Sequence, residues 1–194
     1  EGDATGRIAG RTWADAREPY ADYLIEMTTS GQSVWEWRAW EHLDPETDRI
    51  TAVQDPREEW THANGLAELP NGDIVLSFRH ISTVIIIERK TGKIIWKLGA
   101  PPLSGQHAPT PLANGNLLLF DNGPHRLDQS MPFSRVNEVE LATKQIAWKY
   151  QERRQYEFFS PRMSNARRLP NGNTLICEAD FGRLFEVTPE GELV

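Results

Sequence analysis

The amino-acid sequence predicts an all-β chain built from consecutive four-stranded antiparallel units, and two observations carry this prediction. An Asn-Gly pair stands between two apolar runs at three places, Asn71-Gly72, Asn114-Gly115 and Asn171-Gly172. Such a pair is typical of a β-hairpin with a type I′ turn, in which both central residues take positive φ. No stretch longer than a turn or two shows the apolar period of an α-helix.

A second hairpin follows each Asn-Gly hairpin, and the two together form a repeat. These second hairpins lie in residues 85–96, 136–148 and 184–194, and residues 24–35 hold a similar hairpin without an Asn-Gly partner. Trp35, Trp96 and Trp148 occupy the same place in their copies. Two hairpins per repeat, at a period of about 40–60 residues, are typical of the blades of a β-propeller.

The repeat predicts one partial β-propeller domain over residues 1–194. It consists of a polar segment at 1–20, an outer half-blade at 21–43, blades at 60–99 and 106–151, and an incomplete blade at 163–194. About three to four blades are too few to close a ring, because propellers typically have about 4–8. Unpaired edges invite association, so we expect the chain either to self-associate or to be part of a longer propeller chain.

Composition excludes several classes of function. The 194 residues include 28 acidic and 21 basic side chains, a net charge of −7, with no Lys/Arg block, which argues against a nucleic-acid partner. No apolar run approaches the ~20 residues of a membrane-spanning helix. The single cysteine, Cys177, excludes an intramolecular disulfide and a Cys-based zinc cluster.

Polar residues at the blade starts are the candidates for function, since propeller ligands bind where these loops converge on the axis. His62 and His107 are expected at equivalent places in successive blades. The insertions at 44–59 and 124–134 are expected to form loops at the propeller mouth. The polar blade-start residues are Trp60, His62, Asn64, Gln106, His107, Ser164 and Asn165.

Residues 60–194 resemble the bacterial arylsulfotransferases that work without a nucleotide donor. The motifs that carry the resemblance are His62-x-Asn64, Arg79-His80, the KTGKIIWKLG run at 90–99, Gln106-His107, Phe120-Asp121-Asn122-Gly123, Arg126, Ser134-Arg135 and Ser164-Asn165. The resemblance implies a six-bladed propeller in which a histidine is transiently sulfated, with an aryl sulfate as donor and a phenol as acceptor. It also implies a periplasmic or secreted location, although the chain itself shows no signal peptide.

By motif position, His107 corresponds to the sulfated nucleophile, and His62, Asn64 and Arg79 correspond to the residues that hold the sulfuryl group. Sulfuryl transfer spreads negative charge over three oxygens. The planar guanidinium of Arg79 and the amide N–H groups of Asn64 are suitable hydrogen-bond donors to these oxygens. A neutral His107 would attack sulfur. A protonated His62 would donate a hydrogen bond to the sulfuryl oxygens or give its proton to the departing phenolate. No metal and no cofactor are required.

Three further residues are candidate substrate contacts: Trp60, Asn122 and Arg126. Trp60 precedes His62 near the expected axis and is either a substrate contact or a packing residue. Asp121, Asn122 and Gly123 are expected to form a turn, with Asn122 as a further candidate for the site, and Arg126 is either a mouth residue or a solvated charge. His42 and His125 are expected to be plain loop residues.

The main alternative function is a non-catalytic, quinoprotein-like propeller that acts as a binding or scaffold module of the cell envelope, because the Thr-Gly-Lys-x-x-Trp pattern occurs there too. A quinoprotein dehydrogenase is disfavoured, since those enzymes usually present vicinal cysteines. A metal site made of His62, His80 and His107 lacks a recognisable ligand spacing.

Overall fold

The computed structural model describes residues 20–52, 54–126 and 129–194. The polar segment expected at 1–20 lies outside the described residues except for Tyr20. In the described residues the regular structure consists of thirteen strands and three short 3-10 turns, without an α-helix. The prediction of an all-β chain is therefore confirmed.

The strands form four antiparallel sheets, and within each sheet neighbours in sequence are neighbours in space. The first sheet is a hairpin of β1 (Tyr23–Met27) and β2 (Ser33–Arg38). The second contains β3 (Ala63–Glu68), β4 (Ile74–Phe78), β5 (Thr83–Ile87) and β6 (Ile94–Leu98).

The third sheet contains β7 (His107–Pro111), β8 (Leu117–Asp121), β9 (Arg135–Val139) and β10 (Ile146–Tyr150). The fourth contains β11 (Asn165–Arg168), β12 (Thr174–Glu178) and β13 (Arg183–Val187). A single antiparallel bridge between Val187 and Leu193 adds the start of a further strand to it. The arrangement is a row of meander sheets, each made from one sequence repeat.

The Asn-Gly turns differ from the predicted type I′ geometry. Among the described residues only the glycine of each pair has a positive φ, as at Gly72 (+87°). The N–H of Gly72 donates to the carbonyl of Leu69, and the N–H of Leu69 donates to that of Asp73. This is a three-residue loop, a type I turn followed by a left-handed glycine. Pro70 fits its second position, and the Asn71 side chain accepts from the N–H of Asp73 at 3.2 Å.

The core lies between the sheets. Strand β8 shows why, because Leu117 and Leu119 belong to the apolar cluster shared with the second sheet, whereas Leu118 and Phe120 belong to the cluster shared with the fourth. Successive side chains of a strand point to opposite faces. A strand buried on both faces is therefore apolar throughout.

The inner strands β3 and β7 approach closely enough to require a glycine. A Cβ on Gly65 would lie 2.5 Å from Cδ of Pro109, inside any permitted contact. At the outer strands, the indole N–H of Trp96 donates to the carbonyl of Leu141 at 2.8 Å, and that of Trp148 to Pro189 at 2.6 Å. Each of these tryptophans thus bonds the outer turn of the next sheet. The sheets are fixed to one another at both edges.

Candidate functional site

The four residues matched to the family motif lie at one end of the second and third sheets. His62 precedes β3, and Asn64 lies within it, whereas Arg79 follows β4 and His107 begins β7. Antiparallel pairing brings strand starts beside strand ends: the N–H of Arg79 donates to the carbonyl of His62 at 2.9 Å. The Asn64 side-chain amide donates to the carbonyl of Gln106 at 2.7 Å, which joins the two sheets here.

Counting from the turns corrects one expectation. Asn71 follows His62 by nine positions, whereas Asn114 follows His107 by seven. By position relative to its turn, His107 therefore corresponds to Asn64 and not to His62. His62 stands just before its strand with a φ of 53°, outside the extended region that His107 occupies as the first residue of β7. The two imidazoles reach the same end of the array from different strand positions.

The His107 ring is held in one orientation. Its Nδ1 lies 2.8 Å from Oδ1 of Asn122 and 3.1 Å from the carbonyl oxygen of Gly105. The Asn122 amide nitrogen donates to the carbonyls of Ser160 and Met163, at 2.7 and 2.9 Å, so its oxygen must face the ring. Both atoms near Nδ1 are acceptors, hence Nδ1 carries the hydrogen and Nε2 keeps its lone pair.

Burial lowers the pKa of His107 below 6.5, and the positive charges of Arg79 and His62 lower it further, against hydrogen bonds that raise it. Desolvation disfavours the charged imidazolium, so the ring is neutral near pH 7. A neutral, oriented imidazole with a free Nε2 is a competent nucleophile.

His62 is placed by two neighbours. Its Nδ1 lies 2.8 Å from Oε1 of Glu59, and its ring stacks on that of His80, with centroids 4.6 Å apart. His80 is buried, and its Nδ1 bonds the carbonyl oxygen of Glu59 at 2.9 Å. Burial lowers the pKa of His80. Nδ1 of His62 makes no hydrogen bond among the described residues, so Glu59 acts on His62 as a nearby negative charge.

The same three residues are the possible metal ligands. Glu59, His62 and His80 each bring one ligand atom to within 4.8 Å of the others. A carboxylate and two imidazoles are a donor set that divalent zinc accepts. His80 already uses Nδ1 on a backbone carbonyl, so its Nε2 is the atom that would bind a cation.

Arg79 is held by a residue of the first mouth loop. Its Nη1 donates to Oδ1 of Asp55 at 3.1 Å, and the side chains of Arg79 and Asp55 are 12% and 6% exposed. Arg79 Nε is buried and makes no hydrogen bond among the residues that the structure describes. Buried donors are nearly always paired, so an anion that reached this N–H would complete its pairing.

Asn64 presents a different group from the one that we expected. Its amide nitrogen is used on the carbonyl of Gln106, and its buried oxygen faces no partner in the described part of the chain. The side chain therefore offers an acceptor to a ligand, whereas we expected donors for the sulfuryl oxygens.

The remaining three candidate residues, Trp60, Asn122 and Arg126, make structural contacts. Trp60 is 2% exposed in the apolar core and donates its indole N–H to the carbonyl of Asp48, so we correct it to a core residue. Asn122 is fully buried behind His107, where it orients the ring. The Arg126 side chain is 2% exposed and bonds the fully buried Asp121, at the end of β8, at 2.6 Å, so it is not a solvated charge.

Sequence reasoning missed Glu59, Asp55 and His125. All three belong to the two insertions predicted at the propeller mouth, or adjoin them, but irregular loops carry no period that singles out a residue. His125 is not a plain loop residue: its side chain is 6% exposed, and Nε2 lies 3.7 Å from Oδ2 of Asp55. His42, by contrast, stacks on Trp37 in the hairpin region, with centroids 4.9 Å apart.

Comparisons of structure agree with a partial β-propeller. Similar solved chains include a protein of unknown function from Bacteroides caccae, with a TM-score of 0.56 and 17% identity over 89% of this chain and 56% of that chain. Virginiamycin B lyase from Staphylococcus aureus gives 0.50 and 15%, over 69% of this chain and 40% of that chain. A catalytically inactive variant of that lyase with quinupristin gives 0.53 and 15%, over 87% and 46%.

The chain thus spans about half the length of these solved structures, and at such identities the likeness shows the fold alone. The predicted partial propeller is confirmed by the four sheets and by these neighbours. No helix in the described residues is long and apolar enough to cross a membrane.

Comparisons of sequence identify the family. No curated protein matches the chain. The family model described as Arylsulfotransferase (ASST) matches residues 6–103 and 102–193, nearly the whole length. The resemblance seen in the motifs is thereby confirmed, and the chain belongs to the arylsulfotransferase family.

Proposed function

We propose that this protein moves a sulfuryl group from an aryl sulfate ester to a phenolic acceptor, with His107 as the residue that carries the group between them. The observation that supports this most is the fixed His107 ring, whose Nδ1 faces two acceptor oxygens and whose Nε2 is therefore free. Family membership supports the general reaction. The intermediate on His107 is our proposal.

In the first step, Nε2 of His107 attacks sulfur while the sulfur–oxygen bond to the aryl group breaks. The electron pair leaves on the phenolate oxygen, which takes a proton from the charged form of His62. In the second step, a phenol attacks the same sulfur, the sulfur–nitrogen bond breaks, and the phenol proton returns to His62. The cycle conserves protons and restores both imidazoles.

Arg79 supplies the positive charge that the transition state needs. Charge spreads over the three sulfuryl oxygens, so a fixed donor aimed at them stabilises the transition state more than the ester. The buried, unpaired Nε of Arg79 is such a donor. The unpaired oxygen of Asn64 is an acceptor, so we do not assign it to the sulfuryl oxygens, and the phenol hydrogen goes to His62.

Replacement of the nucleophile tests the proposal. His107→Asn removes Nε2 and should abolish transfer from 4-nitrophenyl sulfate to phenol, measured by release of 4-nitrophenol, with ping-pong kinetics in the parent protein. His42→Asn is the matched control, since His42 lies against Trp37 and outside the site. Full turnover by His107→Asn would refute the role of His107.

A scaffold module of the cell envelope is the alternative function. Such a module would bind aryl sulfates without converting them. The wild-type protein and His107→Asn would then both bind aryl sulfates and release no phenol. Unpaired buried donors beside a neutral imidazole favour the transferase.

We further propose a periplasmic or secreted location, as family membership suggests, and assembly with further blades. Exposed apolar residues lie on both terminal sheets, among them Ile25 and Val34 on the first and Leu184 on the last. Such faces are typical of surfaces that pack against a partner. In sedimentation, we expect the 194-residue chain to self-associate, and we expect a longer parent chain to be a monomer. A dispersed monomer of the 194-residue chain would argue against the assembly.

A further inference from the structure

The two mouth loops meet beside Arg79. From the first loop, the Asp55 carboxylate accepts a hydrogen bond from Nη1 of Arg79 at 3.1 Å, and the Gln54 amide nitrogen lies 3.0 Å from Nδ1 of His125. From the second loop, the backbone N–H of His125 donates to Oγ of Ser104 at 3.0 Å. Residues from two separate insertions are therefore joined around one guanidinium.

The tautomer of His125 follows from its neighbour. The Gln54 amide nitrogen is a donor, so Nδ1 of His125 accepts and Nε2 carries the hydrogen. That N–H lies 3.7 Å from Oδ2 of Asp55, just beyond hydrogen-bond length. Burial lowers the pKa of His125, which keeps the ring neutral.

Three buried polar atoms here have no hydrogen-bond partner among the residues that the structure describes: Oδ2 of Asp55, Nε2 of His125 and Nε of Arg79. Both the Asp55 and the His125 side chains are 6% exposed. Burying a charge with incomplete pairing costs free energy, and the cost is typical of sites that wait for a ligand or a small movement.

We propose that Asp55 and His125 are positioning residues for Arg79. Asp55 occupies the Nη1 side of the guanidinium so that the Nε–H faces the sulfuryl oxygens, and the N–H of His125, 3.7 Å from Oδ2 of Asp55, limits the movement of that carboxylate by electrostatic attraction. This inference rests on the proposed function, because it takes Arg79 as the sulfuryl-binding residue. The rigid, planar guanidinium makes such control effective, since fixing one nitrogen fixes the direction of the others.

The test uses binding of an unreactive aryl sulfonate, 4-nitrobenzenesulfonate, which has the anionic group and no transferable sulfuryl. Asp55→Asn and Asp55→Ala both remove the carboxylate charge, but only asparagine still accepts from Arg79. We expect the alanine variant to bind the sulfonate about tenfold more weakly than the asparagine variant in calorimetry. Equal affinities would overturn the role of Asp55.

A second pair of variants tests His125. His125→Gln keeps an N–H donor near the place of Nε2, whereas His125→Ala removes it, so glutamine should retain sulfonate affinity and alanine should lose several-fold. Equal losses in both variants would overturn the role of His125. Thermal melting of all four variants identifies any that fail to fold.

The Arg79→Lys background shows whether these residues act through Arg79. There, the difference between Asp55→Asn and Asp55→Ala should disappear, because the directed Nε–H is gone; a difference that persists would overturn the inference. Sulfonate binding is independent of transfer chemistry. If the sulfonate affinities of the variants follow these expectations but His107 of the wild-type protein is never sulfated, the proposed function is refuted and the positioning of Arg79 is supported.

Discussion

Two buried clusters of charge in this protein differ in how completely their groups are paired. Around Asp121, Oδ1 accepts from the N–H of Ser104 at 2.9 Å, and Oδ2 accepts from Arg126, Arg135 and Asn137 at 2.6 to 3.2 Å. In that cluster the unpaired buried atom among the described residues is Oδ1 of Asn137, on a neutral amide. Around Arg79, by contrast, the charged groups themselves are incompletely paired: Nε of Arg79 and Oδ2 of Asp55 have no partner among the described residues, nor has Oδ1 of Asn64.

The difference separates a structural role from a binding role. A buried carboxylate that accepts from two arginines, an amide and a backbone N–H holds strands together and has little acceptor capacity left for a ligand. A buried arginine with an unpaired N–H loses hydration that its hydrogen bonds do not fully replace, and a sulfuryl oxygen would complete its pairing. Both clusters contain arginines near a strand end, so the sequence alone makes them look alike.

The largest expected effect is on stability and belongs to the Asp121 cluster. Asp121→Ala leaves the buried guanidinium groups of Arg126 and Arg135 without their carboxylate, and loss of one partner of a buried ion pair costs about 3–5 kcal/mol. Urea denaturation measures the free energy of unfolding. Asp73→Ala is the control at about 1–3 kcal/mol, because the partners of Asp73 in the described part of the chain are neutral groups, the side chain of Asn71 and the N–H of Arg89. Equal losses of the free energy of unfolding in the two variants would contradict the special structural role of the Asp121 cluster.

The next effect is on the reaction and belongs to the Arg79 cluster. Arg79→Lys keeps a positive charge beside Asp55 but lacks the directed Nε–H, so transfer from an aryl sulfate should slow by about 10²–10³ with little change in stability. Steady-state rates and thermal melting measure the two quantities. Arg89→Lys, at an exposed ion pair with Glu26, is the control and should be as fast as the parent. A large loss of stability with normal transfer would make Arg79 structural.

Much of this fold follows from sequence patterns with a physical cause. The Asn-Gly pairs and the alternating apolar runs predicted the hairpins, and the motif order predicted that His62, Asn64, Arg79 and His107 lie at one end of the sheets. The turn type was wrong, because the length of the loop between paired residues, and not the dipeptide alone, selects the geometry.

The residues that the sequence could not assign depend on contacts distant in the chain. The position of Trp60 beside a polar motif made it a candidate substrate contact, but its indole reaches the carbonyl of Asp48 in the core. Arg126 looked like a mouth residue, but a carboxylate at the end of β8 buries it. Asp55 and His125 come from irregular loops that pack together only after the sheets have formed.

The smallest expected effect concerns pH and sharpens the picture of the neutral nucleophile. Burial, aided by the charges of Arg79 and His62, lowers the pKa of His107, so protonation of its ring should occur below pH 6.5. NMR titration of the imidazole C–H signals, assigned with His107→Asn, measures the midpoint. A protonated ring has no lone pair on Nε2, hence sulfation should be lost as the pH falls through this midpoint. A midpoint at or above 6.5 would contradict the described burial.

Mapping of the sulfuryl group tests the central claim most directly. The protein is incubated with 4-nitrophenyl sulfate and without a phenol acceptor, then digested at neutral pH and examined by mass spectrometry. We expect an acid-labile sulfo group on the peptide that contains His107, about one per active site, and its disappearance when phenol is added. A sulfo group on another residue, or release of 4-nitrophenol from an active protein that never carries one, would contradict the account.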